Sequence, residues 1–130
     1  MSAERAALLR EGYERINQGD LDGFMTLLHE DVAWTEQMLP EKKVFHGHEG
    51  VRQWFEHVTQ AFTWGTYELA SYEERGDDAV AEVLVSTTGI ESGVPVTVRV
   101  FQVIRFRDGK IATITALPDR DEARRAAGLG

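Results

Sequence analysis

The stretch from Tyr13 to Glu36 constrains the fold more than any other part of the chain. The spacing of Ala6, Leu9, Tyr13 and Ile16 predicts a helix over residues 3–18 with one apolar face. Gly19, a residue type that ends helices without a Cβ penalty, stops it. Asp20 is placed to cap a second, short helix with Leu21, Phe24 and Leu28 on its apolar face. From Asp31 a strand is expected in which Val32, Trp34 and Glu36 point the same way. A carboxylate thus sits beside a tryptophan on an inward face. Burying it there costs free energy unless it is paired or its protonation has a use.

Residues 37–46 read as a loop over a pocket mouth, carrying Pro40 and Glu41-Lys42-Lys43, with Val44 and Phe45 in a short strand. A third helix is expected from His48 to Phe62, with His48 at its cap and Val51, Trp54, Phe55, Val58 and Phe62 on one face. After Gly65 the pattern changes to strands: Tyr67 to Glu74, Ala79 to Ile90, Val94 to Arg107 and Lys110 to Leu117. The last two are joined by Asp108-Gly109, a favoured hairpin pair. Asp119 and Glu122 open a final helix and Gly128 ends it. Helices first and hairpins afterwards make the class α+β: a curved antiparallel sheet packed against three N-terminal helices, with a short C-terminal helix. At 130 residues the chain reads as one domain, residues 1–130, large enough to enclose a core and a pocket.

The long strands carry apolar residues on both faces. Val98, Val100, Ile104 and Phe106 alternate with Phe101 and Val103, and Ala81, Val83 and Val85 alternate with Leu84. A sheet apolar on both sides must be covered on both sides. The helices cover one face, and a second copy of the chain is the simplest cover for the other, so a homodimer burying Phe101 and Val103 is expected.

Fourteen Lys and Arg against 22 Asp and Glu leave a net charge of −8, and no basic run is present, which argues against nucleic acid or an anionic membrane surface as partner. The absence of cysteine excludes thiol catalysis, disulfides and thiolate metal sites. No apolar leader or membrane-length stretch is visible, so a cytoplasmic protein is expected. His46-Gly47-His48-Glu49 is the one metal-like cluster, and it lacks a third ligand at a recognisable spacing. No phosphate loop or dinucleotide fingerprint occurs. Neither metal nor organic cofactor is expected.

Four motifs carry a family resemblance: Asn17-x-Gly19-Asp20-Leu21-Asp22-Gly23, Asp31-x-x-Trp34-x-Glu36, Gly47-x-x-Gly50-Val51 and Arg105-Phe106-x-Asp108-Gly109-Lys110-Ile111. Together they resemble the nuclear transport factor 2-like superfamily, which includes the ketosteroid isomerases and the SnoaL-like polyketide cyclases. The resemblance implies a cone-shaped, cystatin-like α+β barrel and a sheet-to-sheet dimer. It also implies that Glu36 falls where the isomerases carry their general-base aspartate, and Gln102 where they place the protonated aspartate of the oxyanion hole. A Gln amide donates a hydrogen bond there without pKa tuning. The third isomerase element departs: Gly12 stands where the oxyanion tyrosine belongs, and Tyr13 points about 100° away around the helix.

Period two on the strands and helical spacing on the third helix then predict a ligand-binding cavity. Its expected lining is Tyr13, Trp34, Trp54, Phe55, Val58, Phe62, Val83, Val85, Val100 and Ile104, with Glu36 and Gln102 as the catalytic pair. The expected partner is a small hydrophobic molecule with one or two polar groups. Cofactor-free acid–base chemistry (isomerisation, cyclisation, dehydration or epoxide hydrolysis) is one reading. A ligand carrier without catalysis, or a dimerisation module, is the other.

Overall fold

The first helix, α1 (Ser2–Asn17), buries Ala6, Leu9, Tyr13 and Ile16 on the face their spacing predicts. The structure is a computed structural model and describes residues 2–36, 43–63 and 65–129. Residues 37–42, which hold Pro40 and most of the expected mouth loop, lie outside the described residues.

Helix α2 (Leu21–Met25) starts at the Asp20 carboxylate, which accepts the Gly23 N–H at 2.9 Å. It is shorter than its apolar spacing suggests. Leu28 is not on its face but opens strand β1 (Leu28–Glu36) and pairs with Ile111. Leu28 satisfies helical and strand spacing equally, and the tertiary pairing decides. Strand β2 (Lys43–His46) runs antiparallel to β1 and leads into α3 (Gly47–Ala61). The cap position of α3 is His46, not His48, and His46 makes no side-chain capping bond. His48 instead places Nε2 3.2 Å from the Leu28 carbonyl oxygen. A Cβ on Gly50 would meet the Phe45 carbonyl carbon at 2.8 Å, so only glycine lets α3 fold back this closely on β2.

Strands β3 (Thr66–Arg75), β4 (Asp78–Thr88), β5 (Pro95–Arg107) and β6 (Lys110–Leu117) form the meander expected from their turns. Asp108 and Gly109 both have positive φ, 54° and 74°, as the tight hairpin between β5 and β6 requires. The sheet order is β2-β1-β6-β5-β4-β3. Every pairing is antiparallel except β1 with β6, which is parallel. This joint follows from the chain path: β1 is entered from the helices rather than from a hairpin with β6. Register shifts at Leu28/Ala33, Leu69/Ser71 and Arg105/Phe106 bend the sheet, which stays unclosed between its edges β2 and β3. Its concave face packs against α1, α2 and α3 around Ile16, Phe24, Trp34, Trp54 and Phe55.

The outer face holds a correction. Helix α4 (Arg120–Ala126), capped by Asp119 on the Glu122 N–H at 2.9 Å, lies across that face. Its Ala123, with Ala127 just beyond it, packs on Val80, Phe101 and Leu117. Phe101 is only 6% exposed within the single chain, with the Arg120 guanidinium 5.3 Å from its ring centroid. The apolar residue assigned to a partner's surface is therefore covered by the chain's own last helix, and Val103 packs at the edge of the same cluster. Beside it Glu82 is buried and held by Arg99 and Arg120, both at 2.9 Å, and by the Ser71 hydroxyl at 2.8 Å. Among the described residues no helix is long and apolar enough to cross a membrane.

Candidate functional site

Strand alternation turns Val32, Trp34 and Glu36 of β1 inward, and Val96, Val98, Val100, Gln102 and Ile104 of β5 likewise. Between these strands runs β6, and Ala116 on it pairs with both Glu36 and Gln102. The three residues therefore stand in one row across the concave face. Two strand spacings separate the outer pair, about 10 Å between their Cα atoms. The small Ala116 leaves the floor between carboxylate and amide open.

The cavity above this row has a volume of about 260 Å³. Among the described residues it is lined by Trp34, Glu36, Trp54, Val58, Phe62, Val85, Val100 and Gln102, all expected from the sequence, and by Thr63, Gly65, Tyr67, Thr87, Val96, Val98 and Ala116. Phe55, Val83 and Ile104 do not reach it; they are sealed in the core. Face parity was right for the two strand residues, but the cone narrows toward α2, and the aromatic side chains there fill it. Tyr13 is not on the cavity either. It lines a separate space of about 10 Å³ behind the wall, bounded also by Trp34, Tyr67 and Gln102, which holds at most one water.

Glu36 is 6% exposed, and one of its oxygens accepts the Trp54 indole N–H at 3.2 Å. Trp54 stacks on Trp34, with centroids 4.3 Å apart, so the carboxylate is fixed by a rigid aromatic pair. Gln102 is 4% exposed. Its amide oxygen accepts the Tyr13 hydroxyl at 2.6 Å, which turns the amide N–H₂ the other way, toward the cavity. Burial pushes the Tyr13 pKa well above the ordinary tyrosine range, so the phenol remains a donor.

The place that Gly12 leaves empty is taken by the Phe24 ring, 3.4 Å from where a Cβ would stand. Tyr13, one position on, serves Gln102 instead. Sequence reasoning missed Tyr67, which lines both spaces and stacks parallel on Tyr13 with centroids 6.2 Å apart. The signal was available: Tyr67 shares parity with Leu69, two residues on, and pairs with the inward Val85. The Trp34 indole nitrogen is buried with no hydrogen-bond partner among the described residues.

His46 is exposed and does not line the cavity. Among the described residues no group of three or more metal-ligating side chains occurs. A larger open trough of about 690 Å³ lies elsewhere, between the β3–β4 turn and the end of α4. Its Arg105 is tied to Asp78 at 2.8 Å and its Arg75 to the Gly128 carbonyl, and its wall mixes both signs of charge. It offers no enclosed polar group comparable to Glu36.

Comparison with known proteins follows the same outline. The family model for the SnoaL-like domain matches residues 9–114. A search of curated proteins found no match. Among solved structures, an NTF2-like protein of unknown function from Burkholderia pseudomallei K96243 is 25% identical, over 95% of this chain and 97% of its own, with a TM-score of 0.79. TerC, crystallised with polyporic acid, is 20% identical over 95% and 97%, with a TM-score of 0.80. A protein of ketosteroid isomerase-like fold from Catenulispora acidiphila, in complex with trimethylamine, is 13% identical over 95% and 93%, with a TM-score of 0.77. At 20% and 13% identity, the last two likenesses show the fold alone.

Proposed function

Because the chain belongs to the SnoaL-like domain family, we propose that it binds a small, largely apolar carbonyl compound in this cavity and acts on it by acid–base chemistry. The observation that carries the reading is the row Glu36–Ala116–Gln102: a buried carboxylate and a buried amide line one apolar cleft on either side of a small floor residue. Glu36 takes a proton from the carbon next to the ligand's carbonyl group. The electron pair moves onto the oxygen, where the Gln102 N–H donates a hydrogen bond that strengthens as charge develops. Returning the proton to another carbon completes an isomerisation; handing it instead to a hydroxyl one carbon further on, which leaves as water while the oxygen's electron pair re-forms the carbonyl and the new double bond, completes a dehydration. These steps use only the two side chains.

A crystal soaked with an aryl ketone tests the reading. The ketone oxygen is expected within hydrogen-bond distance of Gln102 Nε2, with its α-carbon toward Glu36. A ketone bound with its oxygen at the cavity mouth, near Thr63 and Thr87, would overturn it.

The carrier reading has one observation in its favour. Apart from Glu36, Gln102 and a few hydroxyl groups, the described lining is hydrocarbon and aromatic, enough to hold a ligand by shape. The chain also pairs, in this proposal, with a second copy through the part of the outer sheet that α4 leaves open, around Leu84, Thr97 and Thr115.

A further inference from the structure

Strand β3 is a free edge of the sheet, and an edge residue's outward N–H and C=O have no strand to pair with. At Tyr67 a side chain from α1 takes the strand's place. Asn17 donates from Nδ2 to the Tyr67 carbonyl oxygen at 2.9 Å, and its Oδ1 accepts the Tyr67 N–H at 2.6 Å. This two-point clamp is what the Asn of the Asn17-x-Gly19-Asp20 motif does: it fixes Tyr67 at the cavity wall.

From there the Tyr67 ring lies parallel to that of Tyr13, within 8°. The Tyr67 phenol interacts electrostatically with both the Tyr13 phenol and the Glu36 carboxylate. Among the described residues the Tyr67 hydroxyl makes no hydrogen bond, and neither does the Gln102 N–H₂. Both groups border the same cavity. Burial first, and the Glu36 charge second, push the Tyr67 pKa above the ordinary tyrosine range, so at neutral pH it is a donor and not a phenolate.

We infer that the Tyr67 hydroxyl and the Gln102 amide together hold one carbonyl oxygen of the bound molecule, making the site selective for neutral ketones and related carbonyl compounds, and that Asn17 is the positioning residue for Tyr67. The inference rests on the acid–base reading above and adds to it a second donor. That donor comes from β3, not from α1, where Gly12 has no side chain to offer.

The test uses a matched pair of probes, acetylnaphthalene and isopropenylnaphthalene, which share a shape but differ in a carbonyl oxygen against a methylene. Titration calorimetry on the full chain gives the ratio of their affinities. The wild-type protein is expected to prefer the ketone by about tenfold or more, as two hydrogen bonds allow. Tyr67→Phe keeps the ring and its stack; it should cut the preference about three- to tenfold and leave the hydrocarbon affinity unchanged. Asn17→Ala should cut the same ratio, whereas a merely structural role would weaken both probes together. Tyr67→Phe decides the point should Asn17→Ala fail to fold. A wild-type protein without ketone preference, or a Tyr67→Phe variant with the wild-type ratio, would overturn the inference. If Gln102→Leu abolishes the ratio while Tyr67→Phe does not, the second donor is lost and the acid–base reading stands.

Discussion

Glu36 and Gln102 stand in register on either side of Ala116, one strand away from it in each direction, and both line the same apolar cleft. They are far apart in sequence, and the parallel joint of β1 to β6 is what brings them into one row. The row makes Ala116 a third element of the site, because anything larger would stand between the two polar groups.

Ala116→Leu is therefore expected to plug the cavity. Extra methylenes in a packed core cost about 1–3 kcal/mol, but here they enter empty space, so the melting temperature should hold or rise. Acetylnaphthalene affinity should fall about tenfold or more, the equivalent of about 1.4 kcal/mol. A variant that binds the ketone as the wild type does would place the ligand elsewhere.

Alkaline titration should expose the buried tyrosines. Tyr13, Tyr67 and Tyr72 all have pKa values raised above the ordinary 10.0, chiefly by burial. Below that value the phenols are protonated in folded and unfolded chains alike, and their contribution is fully present. As pH rises past it, the unfolded chain loses protons that the folded chain keeps, so stability falls until the folded phenols ionise as well. Each fully buried phenol adds a slope of about 1.4 kcal/mol per pH unit. Denaturant melts across this range should show the decline, and Tyr13→Phe should make it shallower. An unchanged slope would mean that Tyr13 ionises freely in the folded state.

The two sides of the outer face should separate by mutation. Phe101→Ala removes the residue on which α4 rests and should cost about 3–5 kcal/mol. Leu84→Arg lies beyond α4, and it should leave the chain folded but monomeric if the proposed pairing uses that surface. Light scattering and thermal melts on both variants give the answer. A wild-type monomer at micromolar concentration would remove the dimer.

The fold was legible where local chemistry and tertiary packing agree. Asp20, Asp119 and Asp108-Gly109 announce their caps and turn, and the structure uses each of them. Leu28 fits two periods at once, and only its pairing with Ile111 resolves the choice. The outer face misled for a different reason. Phe101 is plainly apolar and outward, but whether an outward residue meets a partner or the chain's own tail depends on where α4 docks, which period two does not encode. In the site, parity correctly turned Glu36, Gln102 and Val100 inward and also turned Val83 and Ile104 inward. Parity says which face a residue is on, not how far the core is filled. Parity alone would have turned Tyr67 inward with Leu69, but its fixing by Asn17 and its stacking on Tyr13, about 50 residues away, are tertiary contacts that period two does not encode.

The most direct test of the account is the rate at which the protein opens a nitrobenzisoxazole, a carbon acid whose ring N–O bond breaks on deprotonation to leave a coloured phenolate. Wild-type protein is expected to accelerate this well above buffer, and Glu36→Gln, which keeps the shape and removes the base, should lower the rate by roughly 10²-fold or more. Acetylnaphthalene affinity should stay within about twofold, because the carboxylate acts mainly on the transition state. A Glu36→Gln protein that turns over the probe at the wild-type rate would contradict the account.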